Sequence, residues 1–485
     1  MIADPKPYPA MKDSGVSWLG EVPEHWEVKS LGRIGQLFKG NGGNKGDEVP
    51  SGIPCVRYGD LYTRHEFFIR DTKSYLSPER AAEYTPIRYG DVLFAASGET
   101  IEEIGRSAVN LMQSEARCGG DVLLLRPAVE AVPKFLGYAA DSTASRNQKA
   151  CMGRGFTVVH IYGSQLKRLV LPLPPLPEQA AIVRFLDYAD RRIRRYVRAK
   201  QKLIKLLEEQ KQAIIHRAVT RGLDPNVRLK PSGVEWLGVV PEHWEVRRLK
   251  QCCERFYSGG TPESGTAAYY CGTQEGIPWL MIADLTRQRR VRGAVKHITE
   301  AGRASRSLER IPKGTLVYSM YASLGAASIL EIEATVNQAI IGIEPRPTSL
   351  DAEFALYFLQ FLQPHVARLA SSSTQANLNA EKVKSLPTLL PPLAEQAAIV
   401  RFLDEQTQHI AATIDRAQRE ISLLREYRTR LIADVVTGKL DVREVAARLP
   451  DAADEPEPLG ETDDPSDADG ATVDYVDGSP AEAEA

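Results

Sequence analysis

The chain has 485 residues, of which 43% are hydrophobic, and its formal net charge is −2. This length allows several domains with ordinary cores, and no apolar run reaches the roughly 18 residues that a membrane span requires. Its six cysteines show no C-x-x-C spacing. We therefore expect reduced thiols in a cytoplasmic protein, not a disulfide framework or a metal site.

The charge is distributed unevenly along the chain. Residues 451–485 contain 13 of the 63 acidic residues and no lysine or arginine. The other 50 acidic residues stand against 61 basic ones, a net of +11 over residues 1–450. A basic body of this kind favours a polyanionic partner, although many soluble enzymes carry a similar excess.

The first element in chain order is a phrase that the chain uses twice. WLGEVPEHWEV occupies residues 18–28, and WLGVVPEHWEV occupies residues 236–246. A second pair, PPLPEQAAIVRFLD at 174–187 and PPLAEQAAIVRFLD at 391–404, has the same offset within one residue. The sequence therefore predicts two units of about 218 residues that share a repeated frame.

Between the frames the two halves diverge. Only faint echoes remain, such as GIPCVRYGDL (52–61) against GIPWLMIADL (276–285). Short apolar runs separated by Gly, Pro and Asp are typical of strands and turns. We expect two globular α/β or β-rich domains of about 150 residues, each with its own surface.

The first interior contains a glycine-rich stretch, KGNGGNKGDE (39–48). It matches neither a phosphate-binding loop nor a dinucleotide fingerprint. Two alternatives stay open: a flexible loop, or a loop that contacts DNA through basic and amide side chains. The DNA-contact candidates of this half are Lys39, Asn41, Asn44, Lys45, Arg57, Arg64 and Arg154.

Each unit closes with a segment that has the pattern of a long helix. Residues 178–220 contain no Pro or Gly, and apolar residues recur at alternating spacings of four and three, as in a heptad seam. We predict two long helices that pair as an exposed two-helix coiled coil, against the alternative of ordinary core helices. The seam candidates are Ile182, Leu186, Ile193, Leu203, Leu207, Ile214, Ile399, Leu403, Ile410, Leu424 and Leu431.

The second interior has its own basic run, RQRRVR (287–292). Arginine pairs with guanine and with phosphate, but a solvated charged turn is an equally good interpretation of the run alone. The DNA-contact candidates of this half are Thr261, Arg287, Arg289, Arg290 and Arg292.

Motifs of catalysis are missing from the sequence. We find no H-E-x-x-H, no G-x-S-x-G and no [ND]-P-P-[YF] of adenine methyltransferases. We therefore assign no catalytic, cofactor-binding or metal-binding residue. The acidic end of the chain is rich in Pro, Gly, Ser and Ala, and we expect it to be disordered.

Together, the twin Trp phrases, GIPCVRYGDLYT (52–63), SGGTP (258–262) and PPLPEQAAIVRFLD resemble the specificity subunit of type I restriction–modification systems over residues 14–443. The resemblance implies an α+β chain in which two globular α/β target-recognition domains are separated by two long helices that form an antiparallel coiled coil, with a pseudo-two-fold internal repeat. On this basis we expect target-recognition domains at 1–173 and 223–390, helical regions at 174–222 and 391–443, and an acidic tail at 444–485.

The resemblance also implies the function. Each variable domain would read one part of a bipartite, asymmetric target in double-stranded DNA. The helices would bind two modification subunits that use S-adenosylmethionine, and restriction–translocation subunits that use ATP and Mg would join the complex. This chain would itself hold no cofactor. Two rival functions remain: a self-sufficient DNA-modifying or DNA-cleaving enzyme, and a coiled-coil scaffold that does not bind DNA.

Overall fold

The computed structural model describes residues 5–43, 45–155, 158–272, 275–286, 288–369 and 378–450. The chain divides into two compact units. Unit 1 comprises residues 1–200 and 419–485, and unit 2 comprises residues 201–418. The described residues 419–450 therefore belong to the same unit as those between 5 and 200.

The described residues of unit 1 up to Leu173 contain many short strands, four helices of four residues, and two helices of eight and ten residues on either side of a turn at Asp141 and Ser142. Its strands β1–β16 are Met11–Asp13, Glu21–Pro23, Glu27–Ser30, Gly35–Lys39, Glu48–Val49, Ile53–Val56, Phe67–Ile69, Ser74–Leu76, Thr85–Ile87, Val92–Ala95, Ser97–Gly98, Ser107–Asn110, Ala116–Cys118, Val122–Pro127, Val159–His160 and Val170–Leu173. Its helices α1–α6 are Leu31–Ile34, Asp60–Thr63, Pro78–Ala81, Pro133–Ala140, Thr143–Met152 and Gly163–Leu166.

Two helices are far longer than the rest, and each contributes residues to both units. Helix α7 is Leu176–Arg221, with 46 residues, and α12 is Leu393–Val436, with 44. At 1.5 Å per residue each is roughly 65–70 Å long. Pro177 lies in the first turn of α7, where a missing N–H costs nothing. Helix α13, Arg443–Ala447, follows α12 in unit 1.

Unit 2 has strands β17–β29 and helices α8–α11. The strands are Leu229–Pro231, Val239–Pro241, Glu245–Arg248, Cys253–Ser258, Tyr270–Cys271, Ile277–Leu280, Arg290–Val291, Lys296–Ile298, Leu316–Ser319, Ala327–Leu330, Thr335–Val336, Ile340–Pro345 and Pro387–Leu390. The helices are Ile282–Thr286, Glu300–Ser305, Ala352–Leu369 and Ala380–Lys384. Single 3-10 turns occur at Lys45–Asp47, Glu235–Leu237, Leu249–Gln251 and Ala267–Tyr269.

The diverged interiors share one topology. The main sheet of unit 1 has the order β4-β14-β10-β12-β7, and that of unit 2 has the order β20-β28-β25-β26-β23. In both sheets the last strand, β7 or β23, is parallel to its neighbour, while the other pairs are antiparallel. A second sheet follows the same correspondence: β5-β8-β6-β13-β9 in unit 1 and β21-β24-β22-β27 in unit 2.

Successive side chains of a central strand point alternately into two different hydrophobic cores. In β14, Leu123 and Leu125 belong to the core that includes the long helices, while Val122 and Leu124 belong to a separate core on the other face. This is the period of two that a strand buried on both faces produces. The main sheet is therefore the middle layer of unit 1. Because both of its faces are buried, its strands are continuous apolar runs in the sequence.

The long helices pack with opposite ends together in each unit. In unit 1, Ile182 and Leu186 near the start of α7 share a core with Leu431 and Val435 near the end of α12. In unit 2, Ile215 and Val219 near the end of α7 share a core with Ile399 and Leu403 near the start of α12. The predicted fold class, with an antiparallel helix pair and an internal repeat, is confirmed.

Most seam candidates are covered, but burial is not uniform along the helices. Ile193 and Ile410 are buried, and Leu207, Ile214 and Leu424 are half-buried. Leu203 is 37% exposed, so this seam candidate is not buried between the helices. The pattern is interrupted near Lys200, a position where the sequence already replaces an apolar residue.

The structure moves one expected boundary. We expected the disordered tail to begin at residue 444, but α13 continues to Ala447, and Ala446 is buried. Leu449 packs against the unit 1 core, and its carbonyl accepts a hydrogen bond from Arg184. These apolar contacts hold residues that composition alone assigned to the tail, and residues 451–485 lie outside the described chain. In the part of the chain that the structure describes, no helix is long and apolar enough to cross a membrane.

We predict that Gly438→Ala destabilises unit 1. Gly438 follows α12 with φ of +78°, and a Cβ there would overlap the Pro23 ring and lie 3.0 Å from Cζ3 of Trp26. The strained backbone and the overlap together cost about 2–4 kcal/mol of unfolding free energy. Urea unfolding followed by circular dichroism measures it.

The matched control is Gly20→Ala. Gly20 has a similar φ of +66°, and an added Cβ would meet nothing within 4 Å. Only the backbone term applies, about 1–2 kcal/mol. Equal losses in the two variants would contradict the packing of Pro23 and Trp26 against the end of α12.

Candidate nucleic-acid interface

The first repeated phrase contacts the second repeated phrase in unit 1. Trp26 is fully buried, and its indole Nε1 donates to Oε1 of Glu178 over 3.0 Å. His25 Nε2 lies 2.8 Å from Oε2 of the same carboxylate, and the Tyr8 hydroxyl donates to it as well. Burial and this carboxylate raise the pKa of Tyr8 far above its usual value, so that the hydroxyl remains a donor. Glu178 thus joins the Trp phrase to the first turn of α7.

Unit 2 repeats this arrangement with the second copies of the phrases. Trp244 Nε1 donates to Glu395 Oε2 over 3.1 Å, and His243 Nε2 lies 2.8 Å from the same oxygen. The Glu395 side chain is 27% exposed, against 6% for Glu178. A carboxylate in the first turn of a helix also interacts favourably with the helix dipole. The repeated Trp and Glu phrases are therefore partners in one contact.

The glutamine that follows each glutamate binds backbone groups next to the helix. Gln179 accepts from the amide of Val132 at 2.8 Å and donates to the carbonyl of Pro174 at 2.8 Å. Gln396 accepts from the amide of Asp351 and donates to the carbonyl of Pro391, both at 2.8 Å. Because both glutamines are buried, these bonds fix the chain that enters helix α4 or α10.

The frame therefore leaves two interiors to carry different surfaces. We call residues 32–169 head 1 and residues 250–386 head 2. Head 1 holds the first group of DNA-contact candidates, and head 2 holds the second group.

The glycine-rich loop of head 1 is held by backbone contacts. The amide of Gly120 donates to the carbonyl of Gly42 at 2.7 Å, and a Cβ on Gly42 would lie 2.7 Å from the Tyr84 ring. Lys39 and Asn41 are exposed on either side of buried Gly40. Lys45 begins the 3-10 turn Lys45–Asp47, and Asn44 lies outside the described residues.

The other basic candidates of head 1 differ in availability. Arg57 forms an ion pair with Glu48 at 2.6 Å and donates to the carbonyl of Gly43, which fastens it to the glycine-rich loop. Arg64 pairs with Asp71 at 3.1 Å. Arg154 is exposed in a bridge with His160. The structure thus brings Lys39, Asn41 and Arg57 to one loop and leaves the other two elsewhere in the head.

In head 2 the described arginines of the run form ion pairs with carboxylates. Arg289 pairs with Glu353 at 3.0 Å and with Asp404 at 3.2 Å. Arg290 pairs with Glu353 and Glu331. Arg292 pairs with Glu331 at 2.7 Å but remains 73% exposed. These arginines therefore have ion-pair partners within the unit, which neither interpretation of the run, a solvated turn or a DNA contact, had predicted.

Two further candidates of head 2 complete the placement. The hydroxyl of Thr261 hydrogen-bonds to Gln338 at an exposed site. Arg287 lies outside the described residues. Assignment of base contacts to any of these side chains stays a prediction.

Sequence reasoning missed the polar contacts that fasten each head to the long helices. Tyr138 of head 1 donates to Asp187 of α7 at 2.9 Å, and Tyr357 of head 2 donates to Asp404 of α12 at 2.7 Å. The two aspartates are the last letters of the repeated RFLD phrase. Each tyrosine lies in a diverged interior, so only its aspartate carried a signal in the sequence. Among the described residues no group of three or more His, Cys, Asp or Glu is arranged to hold a metal ion.

Comparison with known proteins gives a family match in both halves. The family described as "Type I restriction modification DNA specificity domain" matches residues 23–205 and 241–421. The putative type I restriction enzyme MjaX specificity subunit of Methanocaldococcus jannaschii is 26% identical, covering 88% of this chain and 96% of that protein. The type I restriction enzyme EcoKI specificity subunit of Escherichia coli is 21% identical, covering 82% and 85%.

A solved structure shares the fold. A chain described under "Structural basis underlying complex assembly and conformational transition of the type I R-M system" aligns with a TM-score of 0.67 at 22% identity. The alignment covers 86% of this chain and 99% of that one.

We predict that Glu178→Gln destabilises its unit more than Glu395→Gln does. An amide keeps one acceptor oxygen, whereas the Glu178 carboxylate serves Tyr8, His25 and Trp26. Loss of charged hydrogen bonds in the more buried site costs about 2–3 kcal/mol, against about 1 kcal/mol for the more exposed Glu395. Urea unfolding of the two variants measures the difference, and an equal or larger loss for Glu395→Gln would contradict it.

Proposed function

Because the chain belongs to the type I restriction–modification DNA specificity family, we propose that each of its two heads reads one half of a bipartite, asymmetric DNA target. The chain is a DNA sequence-specificity subunit with two recognition domains. Half-sites of a two-fold protein are alike when its heads are alike. Here the heads differ, so the half-sites differ.

One observation carries this proposal: the two heads have the same strand order but different exposed residues. The glycine-rich loop of head 1 follows β4 and presents Lys39 and Asn41, and the loop after β20 in head 2 presents Thr261. A common scaffold with unlike loops is the arrangement by which one fold supports several binding specificities. Base edges in the major groove distinguish all four base pairs, and side chains of such loops can read them.

The long helices support the proposal that two copies of one modification subunit bind this chain. Equivalent surfaces take equivalent partners, and the repeat creates equivalent exposed apolar residues. Leu206 of α7 is 52% exposed in unit 2, and its counterpart Leu423 of α12 is 63% exposed in unit 1. Leu176 and Leu393, the first residues of the two helices, are 38% and 41% exposed. Apolar side chains repeated in this way are typical of protein contacts.

The chemistry would belong to those partners. We propose that this chain is not an enzyme, that S-adenosylmethionine binds the modification subunits, and that ATP and Mg serve restriction–translocation subunits. The complex would act on DNA in the cytoplasm. A self-sufficient DNA-modifying or DNA-cleaving enzyme is the alternative, and methyl transfer or cleavage by the purified chain alone would favour it. A scaffold without DNA binding leaves the family match and the basic body unexplained.

We predict that exchange of head 1 for the first head of another specificity subunit changes only one half of the target. The replaced segment is residues 32–169, and the frame of both units is kept. The readout is the set of modified sequences in DNA from cells that express the chimera with its modification subunits. One half-site should take the donor's sequence and the other should remain.

Exchange of head 2, residues 250–386, is the reciprocal control and should change the other half-site. Simultaneous change of both half-sites in either chimera would refute the assignment of one half-site to each head.

A further inference from the structure

In unit 1 an ion network joins head 1 to both long helices. Arg428 of α12 donates through Nη1 and Nη2 to the two carboxylate oxygens of Glu66, at 2.6 and 2.8 Å. Its Nε donates to Asp190 of α7. Arg194 of α7 reaches Glu66 at 2.9 Å and Asp190 at 2.8 Å. One guanidinium therefore bridges three separate parts of the unit.

The network lies on an ordered edge of the head. Glu66 precedes β7, the parallel edge strand of the main sheet, and Phe67 has φ of +61°, a conformation that a bulky residue rarely adopts. The Arg428 guanidinium lies 5.7 Å from the centre of the Phe67 ring. The Phe67 ring in turn packs 5.1 Å from that of Tyr138, which donates to Asp187. Packing and charge thus fix the same turn.

The electrostatics of the network favour its charged form. Burial raises the pKa of Glu66, but hydrogen bonds and charge from Arg428 outweigh burial and hold that pKa below its usual range. Asp190 behaves in the same way, with Arg428 and Arg194 lowering its pKa against burial. The Arg428 side chain is only 15% exposed. The Glu66 side chain is 38% exposed, so the guanidinium is the shielded member of the pair. Removal of a carboxylate partner leaves this shielded charge without its counter-ion, which is costly.

Unit 2 fastens its head with opposite polarity. There the head supplies the arginine: Arg289, next to edge strand β23, pairs with Asp404 of α12. Arg289 also pairs with Glu353 of α10, within the head itself. Its guanidinium lies 3.9 Å from the centre of the Tyr357 ring. Head 2 thus presents a cation to an acidic site, whereas head 1 presents the Glu66 carboxylate to a basic site.

The repeat shows that the unit 1 network is not part of the common frame. At the offset of 217 residues, Arg428 corresponds to Lys211, Asp190 to Thr407 and Arg194 to Ala411. Among the described residues Lys211 forms no ion pair. The two long helices therefore differ from each other at the positions that contact head 1, although their repeated phrases are nearly identical.

We propose that Arg428, acting through Glu66, is a positioning residue that sets the orientation of head 1 on the helix pair and so restricts the gap accepted between the two half-sites. Arg289 has the same role for head 2. This inference rests on the proposed reading of a bipartite target. Neither side chain needs to touch DNA, and the half-site sequences are left to the loops.

Selection of bound duplexes from a library with random sequence and spacing tests the proposal. The full chain is used with its modification subunits, as the parent and as Arg428→Gln, Glu66→Gln and the control Lys211→Gln. Glu66→Gln keeps the Asp190–Arg428 pair between the helices and removes only the head's carboxylate. We call the Glu66–Arg428 contact the latch. In Arg428→Gln and in Glu66→Gln, discrimination between the preferred gap and its neighbours should fall about tenfold, the effect of losing a charged hydrogen bond.

The half-site sequences should remain those of the parent, and Lys211→Gln should keep the parental gap. An unchanged gap preference in Arg428→Gln or Glu66→Gln overturns the proposal, as does equal broadening in Lys211→Gln. A merely structural role would lower overall affinity without widening the accepted gaps.

A double-mutant cycle on stability tests the latch independently of DNA. Glu66→Gln and Arg428→Gln should be coupled by about tenfold in the unfolding equilibrium constant, whereas Glu66→Gln and Lys211→Gln should be additive. If Glu66→Gln and Arg428→Gln are not coupled, the latch is refuted even if the DNA selection gives the expected change in gap preference. If the parent selects no bipartite sequence while the first pair is coupled, the proposed function fails and the latch between head 1 and the helices stands.

Discussion

A carboxylate in the first turn of each long helix is the contact on which the rest of the structure depends. Glu178 and Glu395 accept the indole N–H of Trp26 and Trp244, and each has a histidine beside it. An indole buried without an acceptor would leave an unsatisfied donor in the core. Because the glutamate lies in the first helical turn, the same bond fixes where the helix begins relative to the Trp phrase.

This constraint explains why the frame is nearly identical in two halves whose heads are not. The Trp phrase, the Glu–Gln turn and the glycine after the opposite helix meet in one place: Gly438 packs on Trp26, and Gly222 packs on Trp244. A change in any one of them leaves a buried polar group or an overlap. The loops of the heads carry no such requirement, and they are free to differ while the strand order stays the same.

The sequence predicted the parts of the structure that the repeat constrains. The long helices and the globular interiors follow from phrase spacing and apolar periodicity, because both directly reflect packing. The antiparallel direction of the helix pair was implied by the family resemblance and not by the periodicity. The common strand order of the heads was hidden, since strands need only alternation and not identity. The partners of Arg289 were hidden too: Glu353 and Asp404 lie 64 and 115 positions away and come together only through the tertiary fold. Local charge could not reveal these ion pairs, and a DNA contact of the run stays a prediction.

The central claim is that one repeated frame presents two unlike heads to DNA. Mapping every modified base in DNA from cells that express this chain with its modification subunits tests the claim most directly. We expect a single asymmetric sequence made of two different specified segments with a gap of fixed length between them. A continuous or palindromic sequence, or no sequence-specific modification, would contradict the account.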